Sequence, residues 1–417
     1  MWRVLGIFAI MLGVVTPVWA DVVDLLRAGL AARNRGDPGS AIHYYSQAIE
    51  TGQLPPPQLA IVLNGRGVAY DLIGDPDKAI ADFDAAIRLQ PSYAEAHTNR
   101  GLARVKKSEY DKAIEDFTWA IQFDQRMAFL NYSNRGGAYA SKRQFDEALK
   151  DYDEAIGLNP EYVGAYYGKA KVYEALGDAD RAIKEYDAAI RVDQNFSDAY
   201  NNRGVLQLGR GKFDSAIADF DAVIRLAPDA VLAHSNRAYV FAIRGQFDRA
   251  FQDFDDAVKQ APFNPVVYLN RGVALLYASH ADVAARDFET ATRLIPLNEY
   301  AIIWLHRARV QQGQDDRREL RQNASKAQLG SWPQLLAQLY LGSLGSDVIS
   351  QSTLSGDDPK AQHQRACEIE FYLGLFERER WQMDGAEKRL RAAVDTCPLG
   401  SIERLAAPAE LALLSRQ

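Results

Sequence analysis

One hydrophobic signature repeats along most of the chain. Alanine recurs at Ala41, Ala79, Ala113, Ala148, Ala182, Ala216, Ala250 and Ala284, at intervals of 38, 34, 35, 34, 34, 34 and 34 residues. Twelve residues before each stands another small residue: Gly29, Gly67, Gly101, Gly136, Ala170, Gly204, Ala238 and Gly272. Four residues after each stands an aromatic: Tyr45, Phe83, Phe117, Tyr152, Tyr186, Phe220, Phe254 and Phe288. Spacings of 3, 4 and 7 put such residues on one helical face. Each unit is therefore predicted to be two short helices, joined near Gly74-Asp75, Lys107-Ser108, Gly177-Asp178, Gly211-Lys212 and Gly245-Gln246. The small residues let the paired helices approach closely, and the aromatic fills the space where the next pair stacks.

The last third departs from this pattern and then returns to it. From Glu299 to about Gln328 a modified helix pair is expected, with Ala308 as the small residue and Leu320 where the alanine stood. Trp332-Pro333 opens a helix through Leu341, Gly342 to Ser346 reads as a turn, and Ser350 to Pro359 as a mobile polar loop. A final unit places Gly374 twelve residues before Ala386, with Leu390 in the aromatic position and Ala393 one turn on. Ser401 to Leu414 is expected to form a helix that caps the stack.

The N-terminus reads differently. Arg3, the apolar run Val4 to Val15 and the small residues of Val18-Trp19-Ala20 before Asp21 have the form of a secretory signal. The run is too short to span a bilayer, which needs about 20 apolar residues. The expected organisation is a signal peptide at 1–20, a repeat region at 21–298 and a divergent helical region at 299–417. Export to the periplasm as a soluble chain follows, with retention of the segment as an anchor as the competing reading.

With 417 residues, 47% hydrophobic and 25% charged, the chain can bury a large core. A formal charge of −7 removes the basic face that nucleic-acid binding requires. Six His, two Cys and four Met leave little for a metal or redox centre, so no metal site and no cofactor are expected. Carboxylates flank the aromatics, with Asp82, Asp116, Asp151, Glu185, Asp219, Asp253 and Asp287 before them. Catalysis would need one such pair in a pocket with separated pKa values, whereas these recur in every repeat. Pairing with Arg66, Arg100, Arg135, Arg203, Arg237 and Arg271, which precede the small residues, is the structural reading. No nucleophile elbow or phosphate loop occurs, and the chain reads as a non-enzyme.

The 34-residue period resembles the tetratricopeptide repeat, with about eight units over residues 24 to 298. The fold class implied is an all-α solenoid of antiparallel helix pairs, whose first helices line a groove that takes partner segments. In that register Asn99, Asn134, Asn202, Asn236 and Asn270 lie two residues before the small residue. The resemblance implies that such an amide faces the groove, where it can bond a peptide backbone; tying neighbouring helices together is the equal alternative. Further groove positions read Leu102, Val205, Leu208, Tyr239, Val273, Leu276 and Tyr277. An apolar floor with spaced amides suits a segment of another protein.

The divergent region carries Ile303-Trp304-Leu305, Trp332-Pro333, Tyr340-Leu341-Gly342, Cys367-Glu368, Phe371-Tyr372-Leu373-Gly374, Ile402-Glu403 and Ala409-Glu410-Leu411. In that order these motifs resemble the bacterial new lipoprotein I family. The resemblance implies a periplasmic adaptor that brings peptidoglycan hydrolases to a protease. This chain lacks the family's anchoring Cys and has more repeats. Cys367 and Cys397 fall at the same end of one predicted helix pair, where an exported protein can form a disulfide. The reading at this stage is an adaptor whose partners are other envelope proteins, with a homodimer left open. A structural subunit of an export complex and a direct peptidoglycan binder are the alternatives.

Overall fold

The computed structural model describes residues 17–295, 299–325, 331–351, 359–398 and 401–415. Its described residues form helices and connecting turns, without a strand. They fall into two compact units, Met1–Gln194 and Asn195–Gln417. Residues 1–16 of the expected signal segment lie outside the described residues, and helix α1 (Pro17–Asn34) runs on across Ala20-Asp21. No helix among the described residues is long and apolar enough to cross a membrane.

The first unit continues with α2 (Pro38–Glu50), α3 (Pro56–Leu72), α4 (Pro76–Leu89), α5 (Ala94–Lys106) and α6 (Tyr110–Phe123). A single 3₁₀ turn (Gln125–Met127) leads into α7 (Ala128–Ser141), α8 (Phe145–Leu158), α9 (Val163–Ala175) and α10 (Ala179–Val192). Consecutive helices pair as the spacing predicts, giving five repeats. Second helices start where a carboxylate can take the orphan backbone N–H groups: Asp37 accepts from Ser40 N, Asp75 from Lys78 N and Asp178 from Arg181 N. First helices end where the chain turns left-handed. Gly74 and Gly177 take φ of 80° and 76° there, but Ser108 and Arg143 do so with a Cβ, which costs free energy.

The second unit holds three repeats built from α11 (Ser197–Gly209), α12 (Phe213–Leu226), α13 (Val231–Ile243), α14 (Phe247–Gln260), α15 (Pro265–Tyr277) and α16 (Ala281–Leu294). The modified pair follows as α17 (Glu299–Gln311) and α18 (Arg317–Ala324). Next come α19 (Trp332–Tyr340), α20 (Ser346–Gln351), α21 (Pro359–Glu379), α22 (Met383–Thr396) and α23 (Ile402–Leu414). Two boundaries differ from expectation. Ser346 starts a short helix, with Ile349 fully buried, where the sequence reads as turn and loop; most of the expected mobile loop, 352–358, lies outside the described residues. The apolar Ile349 outweighed the polar composition around it.

Close approach sets the repeat. A methyl group added at Gly67 would lie 2.6 Å from the Phe83 ring, at Gly101 2.7 Å from Phe117, and at Gly272 2.6 Å from Phe288. The aromatic thus packs on the missing Cβ of its own pair. These rings are essentially fully buried, so truncating one to alanine is worth about 3–5 kcal/mol. Leu390 sits on Gly374 in the same way, 2.9 Å from a notional Cβ, which makes α21–α22 a repeat with an aliphatic plug. Cys367 and Cys397 join across this hairpin in a disulfide. Trp304, fully buried, gathers the motifs of the divergent region: Phe371 and Tyr372 lie 6.0 and 6.5 Å away between ring centres.

Candidate partner-binding faces

The recurring charges build scaffold. Arg66 forks onto Asp82 with both bonds at 2.8 Å, Arg135 onto Asp151 at 2.7 and 2.8 Å, and Arg271 onto Asp287 at 2.7 Å. Each fork joins the two helices of one repeat. The remaining nitrogen of Arg100 and of Arg271 reaches back to Asp84 and Asp255 of the preceding repeat, at 2.6 and 2.7 Å. Lys169 does the same work between Asp153 and Glu185. The pairing expected from the sequence is thus present both within and between repeats. The aspartates are in fact buried and bidentate, which makes these bonds stronger than exposed pairs. Burial holds the Asp287 carboxyl above the usual range even beside Arg271. With both carboxylate oxygens engaged, these acids are structural rather than general acids or bases.

The asparagine ladder divides. Asn99 donates to Asn64 Oδ1 of the preceding repeat at 3.0 Å, and Asn236 to Asn201 Oδ1 at 3.5 Å. Asn202 accepts from Asn201 at 3.3 Å. These amides bond within the chain, the alternative that the sequence left open. Asn134 and Asn270 are half-buried, and no side-chain hydrogen bond is formed by either among the described residues.

The apolar floor also divides, in one register. At the position after the small residue, Leu102 is 39% and Val205 43% exposed, whereas Tyr239 is 6% and Val273 0%. Leu208 is buried in the same core as Val273, and the expectation of an open floor fails for these positions. The cover is α23. The Tyr239 hydroxyl donates to the Ser401 carbonyl, and the Tyr277 hydroxyl donates to Glu410 Oε1 at 2.7 Å. The expected capping helix therefore lies across the face of α13 and α15 as well as packing on α21 and α22.

Charged groups missed in the sequence hold it there. Glu410, 1% exposed, accepts from Arg307 at 2.6 Å and also bonds Arg378. Burial alone would pull the Arg307 guanidinium down, but Glu410, Tyr277 and Glu379 leave it held above its ordinary value. Burial pushes the Tyr277 hydroxyl up. At the other end of α23, Glu403 accepts from the Tyr372 hydroxyl at 3.3 Å. Burial, with Glu368 nearby, raises the Glu403 carboxyl to about 7. Tyr300 donates to Glu368 at 3.1 Å. The legible signal was the spacing: Glu403, Ala406, Ala407 and Glu410 share one helical face, and all four are buried.

One cluster has metal-like composition: His234, Asp253 and Asp256. Arg237 forks onto both oxygens of Asp253 at 2.6 and 2.8 Å, and His234 Nε2 meets the Pro228 carbonyl at 3.0 Å. The oxygens of Asp253 thus already serve the ion-pair network.

Among the described residues, the all-helical stack of antiparallel pairs defines a scaffold of helix-pair repeats. The tetratricopeptide repeat profile matches residues 26–94, 73–125, 134–199 and 201–265, more than half of the chain, which belongs to that family. Proteins of this family mediate protein–protein interaction. A chloroplastic tetratricopeptide repeat domain-containing protein of Arabidopsis thaliana, PYG7, is 34% identical over 25% of this chain and 35% of its own length. A heat-shock cognate co-chaperone of Aspergillus fumigatus, sgt12, is 34% identical over 20% of this chain and 23% of its own. The chain thus spans about a third or less of these relatives. A solved tetratricopeptide repeat protein from Parabacteroides merdae aligns over 60% of this chain and 99% of its own, with 22% identity and a TM-score of 0.45.

Proposed function

We propose that this chain is an exported, non-enzymatic adaptor of the bacterial cell envelope that holds a segment of another envelope protein on its repeat faces. The observation that carries the binding face is the register of Leu102 and Asn134 in the first unit. An exposed apolar side chain and an uncommitted amide stand there on successive first helices, α5 and α7. Together they offer a partner backbone both burial and hydrogen bonds. The envelope assignment rests on the apolar run at 4–15 and on the motif order of residues 299–414, which resembles the new lipoprotein I family. By that resemblance the partners are a peptidoglycan hydrolase and a periplasmic protease.

A crosslinked pull-down from envelope extract with residues 21–417, read by mass spectrometry, tests this. The expected result is recovery of a cell-wall hydrolase or protease, lost on combining Leu102→Asp with Asn134→Ala while helix content stays unchanged. Recovery of export-machine subunits alone, or of glycan alone, overturns the adaptor reading. Capture undiminished by the double change overturns the choice of face.

A further inference from the structure

The geometry points to α23 as a latch: a resident helix of this chain seated on the face of α13 and α15, which a helix of another protein with the same buried pattern displaces. That pattern is glutamate, two small residues and glutamate at the register of Glu403, Ala406, Ala407 and Glu410. This rests on the reading of the chain as a protein-binding scaffold.

Four observations carry it. The seat is chemically specific: Arg307, Arg378 and Tyr277 converge on one carboxylate, and Tyr239 holds the Ser401 carbonyl. A bidentate, charge-assisted anchor of that kind selects a glutamate in one register. Fully buried in the α23 footprint are two alanines, Ala406 and Ala407, which let the helix lie close, while Ile402, Leu411 and Leu414 are only partly buried against the same core. Pro408 stands inside α23, which removes one helical hydrogen bond and leaves the helix weak without its seat. Finally, the disulfide closes the α21–α22 hairpin at Cys397, five residues before α23 begins. The hairpin is thus locked independently of α23, and the latch can leave without unravelling what precedes it.

The occupant is fixed by charge complementarity. Once α23 departs, Arg307 keeps Glu379 at 3.0 Å but both Arg307 and Arg378 lose Glu410, so the vacated seat is a cationic pocket beside Tyr277. A partner helix bearing a glutamate at that point restores the bonds; an apolar or basic helix leaves buried guanidinium unpaired.

The test uses the full chain and a fluorescent synthetic peptide of residues 401–415. In the wild-type chain the seat is filled, and anisotropy should report weak binding. Glu410→Gln loosens the resident helix while leaving Arg307, Arg378 and Tyr277 in place, so it should bind the peptide at least about tenfold more tightly. A peptide carrying Glu410→Gln should lose that gain. Equal weak binding by a folded Glu410→Gln chain would falsify the latch and make α23 a permanent part of the core. If that variant does not fold, hydrogen exchange on the wild-type chain decides. Amides of α23 exchanging at least about tenfold faster than those around Cys367 support opening, and equal protection overturns it. Conversion to a dimer in place of peptide exchange would put a second copy's helix in the seat and overturn the assignment to another protein. Because no partner is used, failure here leaves the scaffold reading standing, whereas an empty pull-down with successful exchange does the reverse.

Discussion

In the first unit the residue after the small position of a first helix, Leu102, keeps 39% of its surface; in the second unit the corresponding Val273 keeps none. The backbones are alike, the helix pairs have the same length, and Phe117 and Phe288 plug the same gap. The difference is what lies on top. α23 turns the face of α13 and α15 into core, while Leu102 in the first unit, like Val205 on α11 beyond the reach of this cover, still offers apolar surface. Repeats with near-identical local signatures can therefore have opposite roles, because in a solenoid each face is completed by a neighbour or not at all.

The sharpest way to break this contrast is to place a charge at the shared register. Val273→Asp should cost roughly 4 kcal/mol or more, since a buried carboxylate finds no partner, and Leu102→Asp should stay within about 0.5 kcal/mol. Urea unfolding followed in both variants decides; equal costs would mean that the two positions share one environment. Next comes the disulfide. Replacing both Cys367 and Cys397 with serine should cost the second unit about 3–4 kcal/mol through the loop it closes, leaving the first unit's transition in place. A loss spread over both units would contradict their description as separate compact bodies.

The third concerns pH. Glu403 is faced by Tyr372 and Glu368 on α21, by Tyr300 on α17 and by Ser401 at the start of its own helix, and its carboxyl is raised from 4.5 to about 7, chiefly by burial. A raised carboxyl favours the folded form most below its unfolded value. Its contribution is complete near pH 4.5, is lost as pH climbs through 7, and is flat above. The second unit should thus weaken by on the order of 3 kcal/mol between about pH 5 and 8, and Glu403→Gln should remove that slope. A slope that persists in the variant would assign it to other groups. The smallest effect serves as an internal control. Ser279 and Arg143 hold φ of 67° and 61° at equivalent helix ends, one in each unit. Replacing either with glycine should stabilise its own unit by roughly 0.5–1 kcal/mol, read as a small rise in Tm, and the two gains should match.

Much of the fold was legible because it is local. Small residue, alanine and aromatic at offsets of twelve and four lie within one helix pair, and the gap left at Gly67 is filled by Phe83 of the same pair. The Arg–Asp forks are sixteen residues apart, so pattern alone brought them close, though not their burial. The candidate face was legible only in part. Composition marked Tyr239, Val273 and Tyr277 as apolar groove, but periodicity carries no information on whether a distant segment covers them. The short helix at Ser346–Gln351 escaped for a related reason: one buried isoleucine, supported by neighbours far along the chain, overrode a polar local composition.

The amino-acid sequence by itself determined the helix pairs, their stacking order and the cysteine pair, since each follows from spacings within about 35 residues. Only the tertiary structure decided which face is open. The bonds that seat α23 join Tyr239 to Ser401 across 162 residues, Tyr277 to Glu410 across 133, and Arg307 to Glu410 across 103. No period of 34 reaches that far, and a carboxylate on an alanine-rich helix becomes an anchor only when two arginines from other helices close around it.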